Sequence, residues 1–456
     1  MKFSFSNIGF IDAGEVELGD FTVICGRNNT GKTYISHSIY GLLKKCSVTR
    51  VKVAGQEDID KLFSDGECHI AIPNVEEILS KVSKEFSQKS LKDVFNSEEN
   101  TFDKSSVSLS LGEICNQKFF IHESEIRVKL GEEGDTELRI STEKDQNTIY
   151  VNLLSPTVSR GFVEYALERH LSELILDSVI PNSFVITSER TGAAMFYKDL
   201  DSQAHSFIDH IVNLKENKKI DPLKFMKDMR SRYSLPIRSN IDSIRYASES
   251  IKNRSEIITE KLSSDPLVKK LKQLVGGTFK TQSNGIFYVP NKKRNRDRVE
   301  IPIHLTSSAT KSLYLLDLYV RHIAKKGDVL IIDEPELNLH PDAQRLLAQL
   351  LVRVVNSGIK VVATTHSDHL LRELNTLLML SNPDIDDEEL EEVLHKYDIM
   401  KEDIMSPSKV RAYVNSSTSH KIYEMPVNKL GIQLKLFNDE INEATGLSKE
   451  VYYLVS

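Results

Sequence analysis

Eight residues near the start of the chain, Gly26 Arg27 Asn28 Asn29 Thr30 Gly31 Lys32 Thr33, have the types and spacing that hold phosphate. The glycines let the backbone turn N–H groups inward, so Gly26, Asn28, Asn29, Thr30 and Gly31 can line an anion cradle. A helix beginning at Lys32 adds the partial positive charge of its N-terminus. In this GxxxxGK[ST] pattern Lys32 would hold the β and γ phosphates of a nucleotide, and Thr33 would place its hydroxyl on Mg²⁺. The bland alternative is a structural glycine turn beside an exposed lysine.

A second group lies about 300 residues later, in Val329 Leu330 Ile331 Ile332 Asp333 Glu334 Pro335 Glu336. Four apolar residues ending in acids describe a buried strand that delivers carboxylates at its C-terminal edge, where open α/β sheets collect ligands. Asp333 would orient Mg²⁺, and Glu334 would polarise an attacking water in phosphoryl transfer. The third group, Val361 Val362 Ala363 Thr364 Thr365 His366 Ser367, is another buried strand, ending in histidine 33 residues after Asp333. An imidazole there can hydrogen-bond a terminal phosphate and report its presence.

The elements around these groups follow from hydropathy. Phe21 to Cys25 is a buried-type strand, and Ile35, Ile39, Leu42 and Leu43 recur at helical spacing, giving the order strand, glycine loop, helix. Alternating patterns at 126–130, 138–140 and 149–153 predict antiparallel hairpins, and Phe119 to Ile121 reads the same way. A helix is expected at 158–178, then a strand at Phe184 to Ile186. From 193 to 275 strand signals nearly vanish, and helices are expected at 203–216, 222–231 and 240–263. Helices at 311–324, 342–355 and 368–380 flank the two buried strands, an alternating α/β arrangement. Residues 383–402 read as an acidic helix, and the tail carries no legible motif.

Composition narrows the class. With 456 residues the chain is about three times the usual domain size, and 40% hydrophobic with 27% charged residues is ordinary globular usage. A formal charge of -7 argues against wholesale wrapping of nucleic acid, although Lys292 to Arg298 is a basic turn that could touch it. The four cysteines show no metal-type spacing and read as reduced thiols in a cytoplasmic protein. No apolar stretch approaches the roughly 18 residues of a membrane helix.

Taken together the motifs resemble the ABC-type ATPases of the SMC, RecF and OLD kind, over about 1–45 and 301–380. Asp333 to Pro341 looks like that group's DEPExxLHP form, and Thr364 Thr365 His366 Ser367 is similar to its switch region. The resemblance implies an α/β fold, an ABC-type P-loop NTPase head with a mixed sheet, an antiparallel β subregion and an inserted helical lobe. It divides the chain into 1–190 with the phosphate loop, a helical insertion at 191–295, a second ATPase part at 296–380 and an extension at 381–456. It implies ATP and Mg²⁺ as cofactors, and Leu305 to Ser312 as a signature whose Ser307 and Ser308 bind nucleotide held by a second copy. Ala309 stands where the family has glycine, and Thr310 replaces an acidic or amide residue.

The family's glutamine between the lobes has only Gln88 and Gln117 as candidates. Small members without long coiled coils look most similar, above all ATPase subunits of bacterial anti-phage systems of the Septu type, through Ser188 Glu189 Arg190 Thr191 Gly192 and Tyr233 to Ile241. That likeness implies a homodimer or higher oligomer around ATP and a separate nuclease partner of HNH type. Asp384 Ile385 Asp386 Asp387 reads as a solvated helix start rather than a nuclease motif. The alternatives are a nucleotide-sensing scaffold with little turnover and an SMC/RecF-like DNA-repair ATPase.

Overall fold

A computed structural model describes residues 1–98, 100–112, 124–130, 136–142, 148–154, 158–197, 233–262, 264–282, 285–291 and 299–434. The chain opens with β1 (Lys2–Ile8), β2 (Ile11–Glu17), β3 (Phe21–Cys25), α1 (Lys32–Val48), α2 (Gln56–Asp65), β4 (Glu67–Ala71), α3 (Val75–Glu85) and α4 (Leu91–Phe95). Next come β5 (Ser106–Ser110), β6 (Ser124–Leu130), β7 (Thr136–Thr142), β8 (Thr148–Leu154), α5 (Arg160–Asp177) and β9 (Ser183–Ile186). The middle holds α6 (Leu235–Arg245), α7 (Ala247–Ser250), α8 (Pro266–Val275), β10 (Gly277–Gln282), β11 (Gly285–Pro290), β12 (Ile301–Pro302) and α9 (Ser308–Leu318). The last part has β13 (Val329–Asp333), α10 (Pro341–Asn356), β14 (Lys360–Thr365), α11 (Asp368–Met379), α12 (Asp387–Tyr397), β15 (Val410–Asn415) and β16 (Ile422–Met425).

Six strands form the central sheet in the order β16-β15-β3-β14-β13-β9, parallel except for β16. Both faces are covered, so β3 and β13 are buried at every position, as parallel strands require. The two-residue period then divides each strand between two cores. Leu330 and Ile332 join one cluster with α6, α8, α9 and α10, whereas Val329 and Ile331 join the other with α1 and α5. Antiparallel pairing also builds the smaller sheets β2-β1-β5, β10-β11-β12 and β4-β8-β7-β6, and the expected hairpins at 126–130, 138–140 and 149–153 lie in the last of these. The sheet is mixed and the antiparallel subregion is present, as the sequence implied.

Register brings the C-terminal ends of the parallel strands to one edge. Asp333 pairs with Thr364, Thr365 with Cys25, Ile332 with Ile186 and Val414 with Cys25. Residues that follow these strands, namely Gly26, Thr187, Glu334 and His366, therefore emerge side by side. Two expectations differ in the structure. The helix expected at 240–263 stops at Arg245, and after α7 the chain instead pairs with the end of the helical run that continues α9, through Ser255 N to Arg321 O at 3.0 Å and Glu256 N to Ala324 O at 2.9 Å. The acidic helix expected at 383–402 is shorter, starting where the Asp386 carboxylate accepts from Glu388 and Glu389 N–H groups. The expected strand at 119–121, the helices at 203–216 and 222–231, the basic turn 292–298, Cys115 and Gln117 lie outside the described residues.

Residues after α11, where the sequence shows no motif, complete the sheet and pin a helix. Asp403 is fully buried and accepts from Arg353 Nε at 2.5 Å, Arg353 Nη2 at 3.0 Å and Met400 N at 2.9 Å, with Lys270 Nζ 3.5 Å away. Burial pushes the Lys270 ammonium below its usual range, and Asp403 opposes that shift. Removing one partner of such a group leaves buried charge uncompensated. Asp403→Ala is therefore expected to lower the unfolding free energy by about 3–5 kcal/mol, read by urea denaturation; a loss under about 1 kcal/mol, typical of exposed pairs, would count against the assignment. Cys25, Cys46 and Cys68 are free and buried. Among the described residues no helix is long and apolar enough to cross a membrane.

Candidate functional site

The loop between β3 and α1 turns as its glycines allow. Gly26 has φ 153° and Gly31 φ 93°. A Cβ on Gly26 would sit 2.8 Å from Thr30 Oγ1 and 2.9 Å from Asn415 O, and one on Gly31 would meet Ile11 Cγ1 at 2.8 Å, so neither position admits a side chain. Asn28 and Asn29 are exposed on the outer curve, and Thr30 is buried. Lys32 is curled over the loop, donating from Nζ to Gly26 O at 2.9 Å and Arg27 O at 2.8 Å. Burial lowers its pKa, while Glu334, Asp333 and Glu336 act the other way.

Across the edge, Asp333 is buried but held by hydroxyls. Thr33 Oγ1 donates to its Oδ2 at 2.9 Å, Ser36 Oγ to Oδ1 at 3.2 Å, and Thr364 Oγ1 also to Oδ1. Thr33 itself remains exposed, so the Thr33 and Asp333 oxygens form one open pair. Oxygen ligands of this kind suit Mg²⁺, which takes one or two carboxylates and completes its shell from substrate oxygens and water. Among the described residues no group of three or more His, Cys, Asp or Glu is arranged around a metal position.

Glu334 takes φ 47°, the left-handed region that a non-glycine residue rarely enters. Its N–H is fixed by Thr364 O at 3.1 Å and Thr364 Oγ1 at 3.2 Å. The turn aims its carboxylate at His366, with Nδ1 to Oε1 at 3.3 Å and a second approach to Glu336 at 3.6 Å. The hydrogen bond from His366 holds Glu334 below the usual carboxylate range, and the same contact raises the imidazole. Glu336 orients the third strand end: its Oε1 accepts from Thr365 Oγ1 at 2.6 Å and His366 N at 3.2 Å. Its Oε2 is buried and unpartnered.

Two residues that sequence reasoning did not assign join this edge. Arg190, 1% exposed, is enclosed at the end of β9, where burial pushes its guanidinium down to about 10. The turn Ser188 to Gly192 drew attention in the sequence, but nothing there indicated what the arginine touches. Asn415, at the end of β15, donates from Nδ2 to Thr30 O at 3.3 Å, and its Oδ1 is buried without a partner.

Lys32, Thr33, Asp333, Glu334 and His366 thus converge, whereas Ser307 and Ser308 do not join them. Both serines are exposed at the start of α9, where Ser307 Oγ accepts from Thr310 N at 3.1 Å and touches Thr310 Oγ1 at 2.9 Å. Gln88 is exposed on the turn 86–90 that packs between α3, α4 and β5.

The family model described as an AAA ATPase domain matches residues 2–371, spanning the glycine loop, both acid- and histidine-ended strands and the serine turn. The chain belongs to that family. As an AAA ATPase domain it is also similar to the energy-coupling factor transporter ATP-binding protein EcfA2 of Mycoplasmopsis synoviae (strain 53), 30% identical over 95 residues. That match covers 20% of this chain and 30% of the relative, so less than a third of that protein's length is represented. Solved structures that align with this AAA ATPase domain include an SMC head bound to the C-winged helix domain of ScpA (12% identity, 93% of this chain, 96% of that chain, TM-score 0.34). A second is an SMC head with an extended coiled coil, bound to the C-terminal domain of ScpA derived from Pyrococcus furiosus (12%, 99%, 98%, 0.32). A third is the SMC head domain from Thermotoga maritima (11%, 94%, 98%, 0.30). At these scores the architecture rests on the chain's own strand pairing.

Proposed function

We propose that the protein binds and hydrolyses ATP with Mg²⁺, and that two or more copies assemble around the nucleotide. The observation that carries this reading is the convergence of Lys32, the Thr33 and Asp333 oxygens, Glu334 and His366 on one strand edge. In this scheme Lys32 leaves the loop carbonyls to hold the β and γ phosphates, and the loop N–H groups from Gly26 to Thr33 line them. Thr33 would hold Mg²⁺ and Asp333 would orient its shell, and the ion would supply charge neutralisation at the phosphates. Glu334 accepts a proton from the attacking water, and His366 hydrogen-bonds the terminal phosphate.

Ser307 and Ser308 are exposed and bonded only locally among the described contacts, which fits a role toward nucleotide on a second copy. The ATPase unit then comprises 1–190 and 296–380, with 191–295 inserted between them, and β15 and β16 of the segment after 380 complete its sheet. A slower, scaffold-like turnover has one observation in its favour: the Glu334 carboxylate is already engaged by His366 at 3.3 Å. For biological role we propose control of a separate nuclease, of HNH type, in anti-phage defence, on the resemblance of the Ser188 to Gly192 and Tyr233 to Ile241 segments.

Light scattering of the purified chain tests the assembly. ATP with Mg²⁺ is expected to raise the mass to a dimer or higher multiple, and an unchanged monomer would refute it. Purification from native cells, with and without ATP, tests the partner: recovery of a nuclease supports the defence reading, and recovery of DNA-repair proteins overturns it.

A further inference from the structure

Arg190 spends every N–H of its guanidinium on backbone carbonyls. Nε donates to Ser312 O at 3.1 Å, Nη1 to Thr187 O at 3.1 Å and Asp333 O at 2.8 Å, and Nη2 to Glu334 O at 2.7 Å and Pro335 O at 3.4 Å. Five donors in a planar fork meet five acceptors. Among the described residues no carboxylate oxygen is bonded to the group; Glu336, Asp333, Glu334 and Glu189 act on it only through space, Glu336 most strongly. Enclosing a cation this way is costly, and what offsets the cost is that it satisfies carbonyls an apolar side chain would leave without a donor. The arrangement therefore calls for a reason beyond packing.

The acceptors supply it, because they belong to three separate segments. Asp333, Glu334 and Pro335 form the turn whose left-handed residue aims the Glu334 carboxylate. Thr187 directly follows the strand beside it. Ser312 lies on α9, one helical turn after Ser308, so the same guanidinium holds the helix that presents Ser307 and Ser308. A neighbouring bond, Asn338 Nδ2 to Thr191 Oγ1 at 3.4 Å, ties the far side of the acidic turn to the Arg190 turn. A helix is stiff along its axis, so a shift at its first turn reaches Ser312 O and, through one planar group, the carbonyl of Glu334.

We propose that Arg190 is a positioning residue that couples the first turn of α9 to Glu334. Nucleotide of a second copy, met by Ser307 and Ser308, then sets the carboxylate geometry in the chain's own site. The inference rests on the proposed function for its direction, since it assumes that Glu334 acts on water and that α9 faces nucleotide across a pair of chains. Lysine at this position keeps the charge but offers three donors from one point, which cannot span three segments.

The test compares the wild-type chain with Arg190→Lys. Nucleotide affinity is expected to stay within about threefold, because Lys32 and the loop are untouched, while kcat falls roughly 100-fold, as for a misplacement of about 1 Å. The dependence of rate on ATP is expected to lose cooperativity, its Hill coefficient falling to about 1. Wild-type turnover in Arg190→Lys, or affinity and kcat falling together in step with the melting temperature, would overturn the proposal. Hydrogen exchange reads the same link without turnover. In Arg190→Lys, peptides covering 334–339 and the first turns of α9 are expected to exchange faster together, with β3 and α1 unchanged; unaltered exchange in either segment overturns the coupling. A wild-type chain that binds no ATP sinks the proposed function instead, and leaves the exchange result to decide the mechanical link.

Discussion

Lys32→Ala is expected to abolish nucleotide binding while leaving the fold in place. The ammonium makes two bonds to loop carbonyls, at 2.9 Å and 2.8 Å, and those carbonyls can turn to water when it is removed. What is lost is its engagement of phosphate. A hydrogen bond to a charged group is worth about 1.5–3 kcal/mol, so two of them correspond to a Kd raised on the order of 100-fold or more. Titration with a fluorescent ATP analogue measures the loss, and the melting temperature without nucleotide separates it from unfolding. An affinity retained within tenfold would mean that the glycine loop is structural and the site lies elsewhere.

Glu334→Gln is expected to separate binding from chemistry. The substitution keeps shape and left-handed backbone, so the Thr364 bonds to the Glu334 N–H persist. It removes a charge that is present near neutrality, because His366 holds the carboxylate below its ordinary range. General-base assistance is worth about 10²–10⁴ in rate, and kcat should fall by that factor with nucleotide affinity unchanged. The assembly formed with ATP should also persist longer. Turnover within about fivefold of wild type would exclude Glu334 as the base. In cells the same variant distinguishes a need for hydrolysis from a need for binding alone: a protective Glu334→Gln chain would favour the scaffold reading.

How much of this was legible depends on the range over which each feature is encoded. The glycine loop is entirely local, eight consecutive residues between a strand and a helix, and the acids at Asp333 and Glu334 follow a run of four apolar residues. Their convergence follows from both strands being fully buried. Arg190 was not readable in this way, because its acceptors lie at 187, 312 and 333–335 and no periodicity links those positions. The helix end at Arg245 was hidden for a similar reason: Ser255 and Glu256 are satisfied by carbonyls at 321 and 324. Strand β15 lies in a tail that reads only as mixed short strands and helices, and its pairing with β3 and β16 is what places it in the central sheet.

That last pairing has a consequence for synthesis. β3 is made long before its partner on one side: Cys25 Sγ donates to Tyr413 O across 388 residues. At about 5–20 residues per second the glycine-loop strand waits on the order of tens of seconds before β15 can cover it. During that interval its polar edge and apolar faces are open to other chains, the condition under which long-range parallel sheets aggregate. Asn415 arrives with the same strand and is the residue that reaches Thr30. The loop from Gly26 to Thr33 therefore acquires this brace only once Asn415, 385 residues after Thr30, has been made.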